Sequence, residues 1–266
     1  MGISRREFGN LYTATHSVNL FNTMHRHLSL IVALFGITSV AFSTDPAPRP
    51  GRIVISGFEP FGGRKFNASF KVARRVAELN ADRNITLLEI PVVWGAPEKT
   101  LAKEKAEPWS LWVAFGEGTR CFSIETVADN QRDDYADNEQ KKPLQPRILP
   151  DAPEQLITPF PVEALAHALR NCGLPVRVSK EAGNYLCEEM FFNLLQARSQ
   201  AKDQVPIVLF IHTPIMSAKV KMPDGKETLM DEALIYKFAQ SILPCIQEAI
   251  ARPCLKTLNS RGEASR

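Results

Sequence analysis

From residue 51 onward, apolar and polar positions alternate between two rhythms. Short β-branched runs recur, and between them apolar residues return at spacings of three and four. Arg52 to Gly57 reads as a buried strand closed by glycine. From Ser69 to Leu79, Val72, Val76 and Leu79 fall at helical spacing with Ala73 and Ala77 beside them, which predicts a helix. Ile85 to Val92 predicts a second strand, and Ser110 to Gly116 a third, again closed by glycine. Pro161 to Asn171 reads as a helix with proline in its first turn and Gly173 past its end. Val176 to Ser179 is a short strand, Tyr185 to Ala197 a helix, and Val205 to His212 an apolar strand. Met230 to Ala249 predicts a long last helix, kinked near Pro244. Continuously apolar strands alternating with helices indicate an α/β fold whose mainly parallel sheet is covered on both faces. Ligands in such sheets bind beyond the carboxyl ends of the strands. No repeat interrupts the pattern, so residues 52–250 read as one domain and 251–266 as a C-terminal tail.

The first fifty residues follow neither rhythm. Met24-His25-Arg26-His27 precedes an apolar stretch from Leu28 to Phe42, with small residues at Ala41 and Ser43. A positive flank, a short apolar stretch and small residues at its end make residues 1–43 a cleavable secretory signal region, with Met24 as an alternative start. The stretch is too short and too rich in Ser and Thr to span a bilayer, so no stable membrane span remains after cleavage. Residues 44–51 form a proline-rich spacer. The expected location is therefore outside the cytoplasm, periplasmic or secreted, if the signal is cleaved, and cytoplasmic otherwise.

Composition changes this picture little. Of 266 residues, 44% are hydrophobic and 23% charged, which is ordinary for a folded domain. The net charge of +3 sits largely in the leader, and no basic stripe follows it, so nucleic acid is not an expected partner. Five cysteines in an oxidising compartment leave at least one unpaired. Cys245 and Cys254 bracket a short turn and could pair, with Cys121 and Cys172 also available. No two cysteines have zinc-ligand spacing, and no metal is expected.

Four segments carry candidate chemistry. Gly57-Phe58-Glu59-Pro60-Phe61-Gly62-Gly63 leaves a strand end, and its two aromatic rings could sandwich a small flat ring. Gly183-Asn184 reads as a turn and N-cap pair, which puts Cys187 in the first turn of a helix. There the macrodipole and free amides favour a thiolate and could hold an oxyanion. Glu188 and Glu189 act against that thiolate through adjacent negative charge. His212 ends an apolar strand, where an imidazole could take the thiol proton. Glu125 is an isolated acid among apolar residues and could orient that imidazole. Glu, Cys and His in this order suggest a cysteine hydrolase.

Taken together, these segments resemble the type I pyroglutamyl peptidases, a family of cysteine exopeptidases. The resemblance rests on Gly57 to Gly63 with Asn67, on Ile124-Glu125-Thr126-Val127-Ala128, on Ala182 to Cys187, and on Phe210-Ile211-His212-Thr213-Pro214. Asp133-Asp134 and Asp137-Asn138 are similar to the family's Asp/Asn-rich loop. The resemblance implies a three-layer α/β/α sandwich and hydrolysis of the N-terminal pyroglutamyl residue from small peptides. It implies Cys187 as nucleophile, His212 as general base and later acid, and Glu125 as the residue orienting His212. Phe58, Phe61, Glu117 and Leu186 would bind the substrate ring. No cofactor is implied, and family analogy points to a homo-oligomer. Three positions depart from the family pattern. Glu117 replaces a usual glutamine in a loop one residue shorter, Glu188 follows the nucleophile in place of asparagine, and Tyr135 stands where an arginine is usual, with Arg132 nearest. A carboxylate can accept from a lactam N–H but cannot donate to its carbonyl. The alternatives are a cysteine amidase of the same fold with another acyl specificity, and a non-catalytic protein that binds pyroglutamyl peptides.

Overall fold

The structure, a computed structural model, describes residues 51–202 and 205–251. The proposed signal region, nearly all of the spacer and of the tail, and Cys254 lie outside the described residues.

In chain order the elements are β1 (Arg52–Phe58), α1 (Ala68–Leu79), β2 (Ile85–Ile90), α2 (Ala96–Glu104), β3 (Trp109–Thr119), β4 (Phe122–Glu125), β5 (Val127–Asp129), β6 (Gln155–Ile157), α3 (Val162–Asn171), β7 (Val176–Ser179), α4 (Leu186–Ser199), β8 (Ile207–Pro214), β9 (Lys219–Lys221), β10 (Glu227–Leu229) and α5 (Glu232–Ala251). Six strands form one sheet in the order β2-β1-β3-β8-β4-β7. Every neighbouring pair is parallel except β4 with β8. β9 and β10 form a separate antiparallel pair, as do β5 and β6.

Alternation along the central strands builds two cores. Ile55, Val113, Phe115, Leu209 and Ile211 face a core that includes α1, α3 and α5. Val54, Trp112, Ala114, Val208 and Phe210 face the other, filled by α4 with Leu101 of α2. Removing these side chains from water supplies the main drive for folding, about 25 cal/mol per Å² of apolar surface.

Several boundaries differ from the sequence reading, each for a local reason. β3 runs past Gly116 to Thr119 because Gly116 and Glu117 pair with His212 and Thr213 of β8. The residues read as a loop after the third strand therefore begin as strand. The N-cap of α4 is Tyr185 rather than Asn184. Asn184 instead takes a positive φ of 33° beside Gly183 at 86°, completing the turn that enters the helix. α5 starts after Asp231, whose Oδ1 accepts from the Leu234 N–H at 2.9 Å, and it continues as helix through Pro244. α2 and β4 have no counterpart in the sequence reading. α2 buries little beyond Ala96, Pro97 and Leu101, and β4 has only four residues.

Candidate active site

β3 and β8 end side by side at the middle of the sheet. Gly116 is the register partner of His212, and across the antiparallel step His212 faces Ser123. Paired residues, and residues two apart in one strand, share a sheet face. Gly116, His212 and Glu125 therefore lie on the face that α4 covers, and α4 carries Cys187 in its first turn.

This packing brings the Glu125, Cys187 and His212 of the sequence reading together. His212 Nδ1 and Glu125 Oε1 are 2.9 Å apart, with both side chains buried. A carboxylate accepts, so Nδ1 carries the proton of that bond and Nε2 faces the sulfur. A Cβ on Gly116 would sit 2.8 Å from Cys187 Sγ and 3.0 Å from His212 Nε2. Glycine is required there because any side chain would wedge between thiol and imidazole. Burial opposes a charge on His212, but the negative charge and hydrogen bond of Cys187, followed by those of Glu125, raise its pKa well above 6.5. The arrangement favours the imidazolium form of His212 beside the Cys187 sulfur.

Phe58, Phe61, Glu117 and Leu186 also converge, and with Cys187 they line a cavity of about 50 Å³. Its loop is rigidly held. Glu59 Oε1 accepts from the Val92 N–H at 2.8 Å and from Asn138 Nδ2 at 3.0 Å, which ties the loop to the segment just past β2 and to the Asp/Asn-rich segment. Asn67 caps α1 by accepting from the Ser69 N–H and donates its own amide to Glu59 O. Gly62 and Gly63 turn the chain with φ of 65° and 74°, backbone that side-chain-bearing residues resist.

Four lining residues had no role in the cavity assigned from sequence, Arg64, Asn67, Val92 and Tyr185. The Tyr185 ring packs 5.4 Å from Phe61 and edge-on at 5.0 Å to Trp94. Its hydroxyl donates to Ala136 O, and burial, then the charges of Asp137 and Cys187, push its pKa up to about 12. Arg64 donates to Glu117 Oε2, while Glu117 Oε1 accepts from the Ala68 N–H at 2.9 Å. Each oxygen of Glu117 is thus already engaged. A buried acid needs a cation, but the burial of the Glu117 side chain shows only in the fold, so no sequence signal pointed to Arg64.

The two acids after Cys187 turn away from the thiol. Glu188 accepts from the Asp129 N–H at 2.7 Å and from the Asn184 N–H at 3.3 Å. Glu189 pairs with Arg132 at 3.1 Å and accepts from the Gly95 N–H. The opposition expected from adjacent negative charge is therefore reduced, by pairing at Glu189 and by partial protonation at Glu188. Burial, against those two N–H bonds, raises the Glu188 pKa from 4.5 to about 7. The native state then keeps a proton that the unfolded chain releases, so this group's contribution to stability falls from about pH 4.5 to about 7 and is constant above. Glu188→Gln should gain stability relative to wild type as pH rises from about 5 to 8, by roughly 2–3 kcal/mol in urea unfolding. An unchanged difference across that range would remove Glu188 as the titrating group.

A larger groove, about 830 Å³, is lined by Arg120, Arg170, Lys219 and Lys221 among others, and includes none of Glu125, Cys187 and His212. Among the described residues, no helix is long and apolar enough to cross a membrane.

Comparison with known proteins gives a consistent result. Residues 51–242 match the family described as pyroglutamyl peptidase. The chain is 31% identical to a pyrrolidone-carboxylate peptidase of Levilactobacillus brevis over 67% of its length and 89% of the relative's. A pyrrolidone-carboxylate peptidase of Yersinia pestis is 30% identical over 75% of this chain and 91% of its own. Among solved structures, a mutant pyrrolidone carboxyl peptidase from P. furiosus superimposes with a TM-score of 0.60 at 27% identity, covering 76% of this chain and 99% of that one.

Proposed function

Because the chain belongs to the pyroglutamyl peptidase family, we propose that it is a cysteine exopeptidase releasing N-terminal pyroglutamate from peptides through a thioester. The observation that carries the reading is Cys187 placed between an aromatic-walled cavity and the buried His212–Glu125 pair.

The reaction follows from those positions. The lactam ring enters between Phe58, Phe61 and Tyr185, over Leu186. Cys187 Sγ attacks the pyroglutamyl carbonyl, and first-turn amides of α4 hold the oxyanion. The N-cap side chain of α4 makes no bond to that turn, which supports this role. His212, held in one tautomer by Glu125, gives its proton to the leaving amine. It then takes a proton from the water that hydrolyses the thioester. Arg64, anchored by Glu117 at the cavity wall, supplies the donor to the lactam carbonyl that a carboxylate cannot. Arg64→Ala should therefore raise KM for a pyroglutamyl substrate about tenfold, with a smaller change in kcat. A loss confined to kcat would argue against that contact.

Gly116→Ala should lower kcat about 100-fold while the protein still folds, because the added methyl displaces both sulfur and imidazole. Steady-state kinetics beside a thermal melt separates the two effects. The N-terminal segment with a signal's pattern supports action outside the cytoplasm.

The deciding experiment is release of a fluorescent amine from a pyroglutamyl amide, set against the matching prolyl amide, which lacks the lactam carbonyl. Cleavage of the first and not the second is expected. Folded, reduced protein that cleaves neither would overturn the assignment, and tight binding without release would indicate a non-catalytic binder.

A further inference from the structure

Two cysteines with no part in this chemistry meet on the opposite side of the sheet. Cys172 is the C-cap residue of α3, and Cys245 lies in the second half of α5. Their sulfurs are 3.8 Å apart although 73 residues separate them in the chain. Both are thiols in the structure. The helix ends are independently held in register, because Lys237 Nζ donates to Gly173 O at 3.1 Å. Lys237, Ser241 and Cys245 recur at four-residue spacing and share one face of α5. The chain just past α3 thus contacts that face at Lys237, and Cys172 contacts it again at Cys245.

We infer that Cys172 and Cys245 are a dithiol site that closes to an intramolecular disulfide by exchange with a low-molecular-weight disulfide, stapling α3 to α5. A disulfide needs its sulfurs near 2.05 Å, so closing the bond requires side-chain rotation about Cα–Cβ to draw the two sulfurs together. Cys172 is exposed and Cys245 buried, so the reagent meets Cys172 first. Cys172 loses its proton to solvent and its sulfur attacks one reagent sulfur, forming a mixed disulfide and expelling one small thiolate. Cys245 loses its proton to solvent and attacks the Cys172 sulfur, and a second small thiolate leaves. Two electrons pass from the protein to the reagent, which is reduced to two thiols. Burial, then the charge of Cys172, pushes the Cys245 pKa up to about 12, and capping Cys172 removes that opposing charge.

Cys187 escapes this bond for a geometric reason. α3 and α5 pack on one face of the sheet and α4 on the other. A mixed disulfide on Cys187 has no neighbouring partner in the Cys172–Cys245 pair and is reversed by free thiol, whereas the paired sulfurs attack at a high effective concentration. The oxidised protein therefore keeps its nucleophile. Closing a loop of 73 residues also restricts the unfolded chain, so the oxidised form should be the more stable.

The test equilibrates the full chain in a buffer of reduced and oxidised glutathione, alkylates the remaining thiols, and maps peptides without reduction. The expected result is a linked pair containing Cys172 and Cys245, two hydrogens lighter than the separate peptides, with Cys187 alkylated. The melting temperature should rise on the order of 10 °C over reduced protein. Cys172→Ser should lose both the link and the rise while matching the reduced wild type, and Cys245→Ala repeats the mapping with the other sulfur absent. Recovery of Cys172 only as a thiol or a glutathione adduct, or joined to a different cysteine, overturns the inference. The readout needs no turnover, so failure of the peptidase assignment leaves it standing.

Discussion

Cys187→Ser is expected to abolish turnover of a pyroglutamyl amide, by about 10⁴-fold or more, with the fold intact. Serine is smaller than cysteine and shares its shape, so the cavity and α4 are preserved. What changes is the attacking atom, from sulfur to a less nucleophilic oxygen. A hydroxyl beside His212 stays protonated at neutral pH, and the imidazolium loses the negative partner that most favours it. The His212 pKa should fall accordingly, since burial then acts against the charge with Glu125 alone opposing it. A proton NMR titration of the ring would show that fall. Turnover within tenfold of wild type would place the nucleophile elsewhere. A His212 titration unmoved by the substitution would remove Cys187 as the group that raises the His212 pKa.

Glu125→Gln carries the second large effect, a loss of about 10³-fold in kcat without loss of stability. Glu125 Oε1 meets the His212 ring at 2.9 Å, while Oε2 is buried with no hydrogen-bond partner. One oxygen of Glu125 is thus left unpaired in a poor solvent so that the other can hold one imidazole tautomer. Glutamine can turn its amide toward Nδ1, which makes Nδ1 the acceptor and puts the ring proton on Nε2, facing the thiol. It then cannot receive the Cys187 proton. Glutamine keeps the shape of the acid and a hydrogen bond to the ring, so the melting temperature should hold. A marked drop in melting temperature together with the kinetic loss would make Glu125 a structural residue first. Both outcomes are read from the same purified variant.

Much of the scaffold was legible because it is written locally. The apolar runs of β1, β2 and β8 and the spacing of Val72, Val76 and Leu79 in α1 are backbone periods, and each shows within a dozen residues. α2 was hidden because its charged residues outnumber the few positions it buries. β4 was hidden because four residues become a strand only when β8 and β7 pair with them. Cys187 could be placed in the first turn of α4 from Gly183-Asn184, although the cap itself falls one residue later at Tyr185.

The site divides in the same way. By itself the sequence determined the α/β class with its longer strands and helices, the family and the identity of the acid, thiol and imidazole that meet. Only the tertiary structure decided that Gly116 must lack a side chain, that Arg64 pairs with Glu117, that Glu188 faces the Asp129 amide, and that Cys172 meets Cys245. Those contacts join residues tens of positions apart, or a backbone to a helix packed over it. Their distances depend on which strands become neighbours, and strand order is set by burying both sheet faces at once rather than by any local run of residues.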